Sequence, residues 1–231
     1  MRKGKYLMGM MVLALLFTGL LVAVPSAQAV PPPITETFYF TSNEITDGEN
    51  GIVPFGDVVL TEVGGNVDIT VSLFNDNLFV NTGAGAGQNF LWNSTFTNTN
   101  NLTALNGENL IFTFEAVTPG PPKTGLHANG TGYFNFGVVF SGQGTGGSNA
   151  MAGPITFEVA GATISDFFAN SDGNFFAADI ILGDGQGANG VTNPTGVVDA
   201  EGPTKVPEPT TMLLLGLGLI SIAGVKRMLK N

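Results

Sequence analysis

The chain predicts an all-β fold, an antiparallel β-sandwich or jelly roll, and three observations carry that expectation. Val67, Ile69, Val71 and Leu73 alternate with Asn66, Asp68, Thr70 and Ser72, the period-two pattern of a strand with one dry face and one wet face. Dipeptides that tolerate positive φ recur as turn punctuation, among them Asn50-Gly51, Asn106-Gly107, Asn129-Gly130, Asp172-Gly173 and Asp184-Gly185. Between the two ends of the chain, no stretch shows a long helical period.

In chain order, the first 29 residues read as a secretory signal peptide that precedes the β body as a helix. Arg2, Lys3 and Lys5 form a positive n-region and Leu7 to Val24 an apolar stretch. Pro25 then breaks the helix, and Ala27 and Ala29 supply the small residues a signal peptidase requires. Cleavage after Ala29 is expected, with an uncleaved anchor as the alternative. The mature chain would open on Val30-Pro31-Pro32-Pro33, an extended lead-in.

Residues 30–205 form the body. Strand patterns fall at Glu36 to Thr41, Leu78 to Asn81, Asn89 to Phe96, Leu110 to Glu115, Gly132 to Phe140, Ile155 to Val159 and Phe175 to Ile181, besides the alternating run already described. A single helical turn fits Ser165 to Ala169, with Ser165 as cap and the pair Phe167-Phe168 closing an open end of the sandwich. The glycine runs 83–87, 142–147 and 183–190 read as connecting loops, since they offer little side chain to a core. The chain has no cysteine, so an exported body must hold together by packing alone.

Charge is unevenly distributed. All eighteen acidic residues lie within 30–209, against two basic ones, Lys123 and Lys205, a net of −16. Such a body repels nucleic acid, so no nucleic-acid partner is expected. The chain's eighteen phenylalanines, all but Phe17 in this body, nevertheless supply enough apolar surface to fold.

Residues 206–231 make up the third segment. Pro207 and Pro209 bracket Glu208, which holds the backbone extended and accessible to an enzyme that binds extended chains. Met212 to Val225 is uncharged and mostly apolar, and Lys226, Arg227 and Lys230 follow as a cytoplasmic stop. Fourteen helical residues reach about 21 Å against a hydrocarbon core of roughly 30 Å, so spanning needs the flanking residues of a single transmembrane helix over 211–228. A marginal stop of this kind suits a temporary anchor. A permanent tail anchor and a buried core helix are the alternatives.

Val206-Pro207-Glu208-Pro209, the apolar Met212 to Val225 and the basic Lys226-Arg227, in that order, resemble the PEP-CTERM sorting domain. The resemblance covers about the last 26 residues. It implies exosortase as a processing partner, and a transient anchor in the inner membrane of a Gram-negative cell. It further implies delivery to the cell surface or extracellular matrix, in bacteria that make exopolysaccharide and biofilm. A structural or adhesive role follows as the expectation for the body.

Catalytic signals in the body are weak, and the chain is not expected to be an enzyme. His127 is the single histidine, and no Gly-x-Ser-x-Gly elbow accompanies it. One histidine without cysteine cannot build a zinc site, so no metal site is expected on that ground. A carboxylate pair for glycoside hydrolysis remains open as a lesser reading. No cofactor is expected apart from structural Ca²⁺, for which Asp47 to Gly51 and Asn170 to Asn174 place oxygen ligands in tight loops, although turn chemistry alone explains both. As a carbohydrate-binding module, the body would use Trp92, Tyr39 and Tyr133 as stacking platforms on neighbouring strands, with a core position for Trp92 as the competing reading.

Overall fold

The alternation of apolar and polar residues decides which face of each strand is buried. The computed structural model describes residues 32–43, 45, 52–118, 123–183 and 194–203. Those from Pro33 onward belong to one compact unit. The signal segment 1–29 with Ala27 and Ala29, the loop Asp47 to Gly51, and the tail 206–231 with Val206, Pro207, Glu208, Pro209, Lys226, Arg227 and Lys230 lie outside the described residues. Among the described residues, no helix is long and apolar enough to cross a membrane. The helix expected at 211–228 is not among them.

The strands are β1 (Ile34–Tyr39), β2 (Ser42–Asn43), β3 (Gly56–Val63), β4 (Asn66–Leu73), β5 (Leu78–Phe79), β6 (Phe90–Trp92) and β7 (Leu102–Ala104). They continue with β8 (Leu110–Phe114), β9 (Leu126–Ala128), β10 (Gly132–Phe134), β11 (Phe136–Phe140), β12 (Ile155–Ala160), β13 (Phe176–Ile181) and β14 (Thr195–Ala200). The first sheet has the order β1-β3-β4-β12-β7, and the second β2-β14-β13-β6-β11-β8 with β5 also on β13. β9 and β10 form a separate hairpin. Every pairing is antiparallel.

The apolar faces of the two sheets meet in one core. Phe38, Leu60, Ile69 and Phe157 from the first sheet join Phe90, Trp92, Phe136 and Phe176 from the second. Trp92 sits at its centre, stacked at 5.5 Å on Phe90 and 5.4 Å on Phe136, and it reaches across to Phe157 at 4.9 Å. Rings at these separations add about 0.5–1.5 kcal/mol per pair beyond area burial. In a chain without cysteines, this aromatic packing does the work of cross-links.

β3 was not among the expected strands, yet it is central to the first sheet. It joins β4 through Gly64 and Gly65, both at positive φ (61° and 84°), as a two-residue hairpin turn requires. Asp57, Val59 and Thr61 point outward and Val58 and Leu60 inward, so the period-two signal was present and followed by a Gly-Gly turn. The expected strand Gly132 to Phe140 is instead two strands broken at Asn135, because its halves belong to different layers. The expected turn at Ser165 is a 3₁₀ turn one residue earlier, Ile164–Asp166, entered from Thr163. Asp166 accepts from the Thr163 backbone N–H at 2.9 Å and from Thr95 Oγ1 at 2.8 Å, and these bonds hold its carboxyl below the usual value. Only Phe167 of the phenylalanine pair closes the core; Phe168 faces outward.

The second sheet departs furthest from a one-sided pattern. Phe90, Leu91 and Trp92 are all buried, as are Phe176 through Ile180. Phe90, Trp92, Phe176, Ala178 and Ile180 face the main core. Leu91, Ala177 and Val197 face the other way and pack beneath Leu126, Ala128 and Phe134 of the β9–β10 hairpin. The hairpin therefore forms a third layer over the outside of the second sheet.

The same outer face is roofed by a loop extruded from a strand. β5 and β6 pair with one edge of β13, at Ile180–Ile181 and Phe176–Ala178 respectively, so they are two halves of one strand from which the connection Val80 to Asn89 bulges out. Asn89 mends the gap: its fully buried side chain donates to Val80 O at 2.7 Å and accepts from Phe140 N at 3.0 Å, standing in for missing ladder bonds. Asp179 pins the loop by accepting from Thr82 N at 2.9 Å and from Thr82 Oγ1 at 2.8 Å. Ala84 and Ala86 pack on the outer cluster, so the glycine run 83–87 contributes to a small core as well as connecting strands.

Two outcomes follow for stability. Phe157→Ala should cost about 3–5 kcal/mol in urea denaturation, since it removes the ring that bridges the two sheets. Burial pushes the Asp179 carboxyl up from 3.8 against the opposing pull of the Thr82 bonds. A raised folded value means that the stabilising contribution is complete below the unfolded value and is lost as pH rises through the folded one. Thr82→Val removes a donor that the ionised carboxylate accepts more strongly than the neutral acid does, so its cost should be about 1–3 kcal/mol at pH 7 and should shrink at pH 4. Paired urea titrations at the two pH values measure the difference.

Candidate functional site

Among the described residues, a concavity lies where the third layer meets the end of the second sheet. It is a pocket of about 340 Å³ whose floor is Asn93 and Asn135, with walls that include Val117, Lys123, Tyr133 and Phe168. Asn135 is the residue at which the chain changes layers, between β10 and β11. Its amide accepts from Ser94 N at 3.0 Å and donates to Ser94 O at 2.7 Å, while Asn93 Oδ1 accepts from Asn135 N at 3.0 Å. These reciprocal bonds spend both amides of Asn135 on structure and fix the floor.

Two glycines bring the walls together. Gly132 has φ +101°, and a Cβ there would overlap Asp172 Oδ2 and lie 2.7 Å from Asn170 Nδ2, so the loop carrying Asn170 can press against the hairpin only if this residue lacks a side chain. Gly125, at φ +117°, likewise lets Val117 and the Phe134 carbonyl approach. The segment ending at Thr118 is tied to the hairpin by a bridge to Thr124, whose hydroxyl lies 2.8 Å from that of Thr118.

Phe134 points into the outer cluster, so its neighbour Tyr133 points away from it. The Tyr133 ring contacts His127, its cross-strand partner, at 4.6 Å. The Lys123 ammonium lies 5.6 Å from the same ring's centroid, within cation–π reach. Lys123 is the one Lys or Arg among the described residues, and among them it has no carboxylate within ion-pair distance. His127 is exposed and packs on Tyr133 from the middle of strand β9, where the register sets the two opposite each other.

The three aromatic residues expected as a glycan platform do not come together. Trp92 is 1 % exposed and enclosed by Phe90, Phe136 and Phe157, so it cannot stack on an external sugar; its core reading is the correct one. Tyr39 follows the inward Phe38 on β1 and therefore lies on the outer face of the first sheet. Tyr133 sits on the hairpin covering the opposite side of the second sheet, with both sheets between them. Of the three, Tyr133 alone borders the pocket.

In the Asn170 to Asn174 loop, considered for Ca²⁺, the Asn170 amide oxygen is spent on the loop's own backbone. Asn170 Oδ1 accepts from Asp172 N at 2.9 Å and from Asn174 N at 3.0 Å, and both asparagines donate to Thr131 O. No group of three His, Cys, Asp or Glu side chains among the described residues is placed to hold a metal ion. Asp68 and Glu158 do stand directly opposite each other on the outer face of the first sheet, and partial burial and then the Glu158 charge raise the Asp68 carboxyl.

Sequence reasoning found Tyr133 but missed Lys123, Asn93, Asn135 and Phe168 as its neighbours. Lys123 did carry a signal, as one of two basic residues in an acidic body. The asparagines carried none, because their roles exist only once the hairpin has folded over the sheet.

The PEP-CTERM protein-sorting motif matches residues 205–227 of the chain. No curated protein and no solved structure matches it. The motif marks a PEP-CTERM domain-containing protein and implies export through the membrane with exosortase as the processing partner. It covers the tail and not the β body.

Gly132→Ala should destabilise the body by more than about 1 kcal/mol, because the positive φ and the crowding at Asn170 both oppose a Cβ. Urea denaturation measures this loss. Gly173→Ala, at a φ of 96° close to that of Gly132 but with no atom within 4 Å of an added Cβ, separates the backbone part from the crowding part.

Proposed function

We propose that this chain, bearing the PEP-CTERM protein-sorting motif, is a non-catalytic matrix or surface protein whose β-sandwich body is delivered outside the cell by signals at its two ends. The single observation that carries the reading is the match over residues 205–227, in which the Pro-Glu-Pro triplet precedes an apolar stretch and a basic tip. Residues 1–29 start export. The marginal apolar stretch from Met212 to Val225 halts it, and exosortase acts on the exposed neck.

The fold supports this order of events. Pro203, the last described residue, bridges to Phe38 on β1, so the chain leaves the body beside the strand with which the body begins. Three residues separate Pro203 from Pro207, four Cα-to-Cα steps that span about 14 Å at full extension. An enzyme acting on the triplet must therefore work close to the folded body. The acidic, tightly packed body suits a component that stays soluble outside the cell. Its role there is structural or adhesive, and the pocket beside Tyr133 favours a second reading as a carbohydrate-binding module.

Intact mass spectrometry of the product made in exosortase-containing cells tests the address. The wild-type product should begin at Val30 and lack Met212 onward. A chain with Glu208→Ala and with Lys226, Arg227 and Lys230 changed to Gln should keep its tail or accumulate in the membrane. Wild-type mass and yield from that variant would refute the reading.

A further inference from the structure

We propose that the pocket between Tyr133 and Lys123 binds a carboxylate-bearing sugar ring, a uronic-acid residue of a polysaccharide. The proposal rests on the reading of the body as a binding module rather than a catalyst. It assigns the ligand class of that site.

Charge supplies the first argument. Lys123 is the one Lys or Arg among the described residues, and in a strongly acidic body it is held over an aromatic ring instead of against a carboxylate. Its donors remain available to an anion from outside. The opposing acidic residues Asp57, Asp68 and Glu158 lie on the outer face of the first sheet. Both sheets stand between that face and the pocket, and stacked sheets lie about 10 Å apart, beyond the roughly 8 Å over which exposed charges act at physiological salt. Two carboxylates lie nearer, Asp172 after the lining Ser171 and against Gly132, and Glu115, whose N–H donates to Asn135 O; among the described residues Lys123 is the one cation beside the pocket.

Shape and surface chemistry supply the second. The Tyr133 ring lines the pocket, with His127 tilted against it at 4.6 Å and the Lys123 ammonium over it at 5.6 Å. Val117 and Phe168, 40 % and 43 % exposed, are large hydrophobic side chains left open to solvent, and both line this one pocket. An apolar wall with an aromatic face suits the C–H face of a pyranose, and Lys123 and the Asn93 amide suit its polar edge. Asn93 Oδ1 is spent on Asn135 N, which leaves its Nδ2 as a donor. At about 340 Å³ the pocket is at the small end of the roughly 300–1,000 Å³ range of ligand sites, which fits a ring rather than a long segment.

Preorganisation supplies the third. The floor amides are locked by the bonds between Asn93, Ser94 and Asn135, and the walls are brought together by Gly125 and Gly132. Little ordering cost remains for the ligand to meet.

Titration calorimetry of the full-length chain in detergent micelles tests this, with galacturonate, glucuronate and mannuronate oligomers, the methyl esters of the same oligomers, a neutral glucose oligomer and benzoate. At least one uronate oligomer should bind. Esterification and Lys123→Gln should each weaken binding at least tenfold, and the two together should cost no more than either alone, because both remove one charge pair. Tyr133→Ala should weaken acid and ester alike. Both side chains lie at the surface, and unchanged urea midpoints would show that the variants fold. Equal binding of acid and ester, or full binding by Lys123→Gln, overturns the carboxylate assignment. Benzoate binding as tightly as the uronates overturns the sugar, and no binding of any uronate at millimolar concentration overturns the site. Tail processing of Lys123→Gln should match wild type, so failure here leaves the address intact, and failure of processing leaves this binding result standing.

Discussion

The second sheet cannot present a wet face, and the rest of the architecture answers to that constraint. Phe90, Leu91 and Trp92 are buried in succession, and so are Phe176 to Ile180, so both faces of β6 and β13 need apolar cover. The first sheet covers one face. The β9–β10 hairpin and the loop extruded between β5 and β6 cover the other. At about 25 cal/mol per Å² of apolar area, leaving Leu91, Ala177 and Val197 open to water would forfeit stabilisation that a disulfide-free chain has no other means to replace.

Covering that second face creates places where backbone groups lose their ladder partners, and asparagine and aspartate side chains restore them. Asn89 bonds Val80 O and Phe140 N where a strand is interrupted, and Asn135 bonds both backbone groups of Ser94 where the chain crosses between layers. Asp179 is kept in an apolar setting by Thr82, at a cost visible in its raised carboxyl. Asn89 and Asp179 are buried and Asn135 partly so, and each is tolerated because it satisfies another polar group. The Asn-rich composition, which resembles a surface signature, is in this protein partly an internal framework.

The pocket is a by-product of the same arrangement. It opens where the hairpin, the segment ending at Thr118 and the loop at Phe168 meet over the Asn93–Asn135 floor, so it exists only because a third layer exists. The sorting motif and the pocket lie in separate parts of the chain. The motif at 205–227 implies export and processing. The binding proposed for the body would rest on Tyr133 and Lys123, far from the tail in sequence.

Some of this was legible in the residues alone. Period-two alternation at Asn66 to Leu73 and the Asn-Gly and Asp-Gly turns determined an antiparallel all-β body, because side-chain alternation and positive-φ tolerance are local properties of the chain. The order Pro-Glu-Pro, apolar stretch, basic tip determined the sorting motif for the same reason. Tertiary structure alone decided that Gly132 to Phe140 would split between two layers, that Trp92 would be enclosed while Tyr133 faced outward, and that Tyr39 and Tyr133 would lie on opposite sides. Those outcomes depend on which of a strand's two faces another layer covers, and a buried strand apolar on both faces carries no periodic mark of what will pack against it.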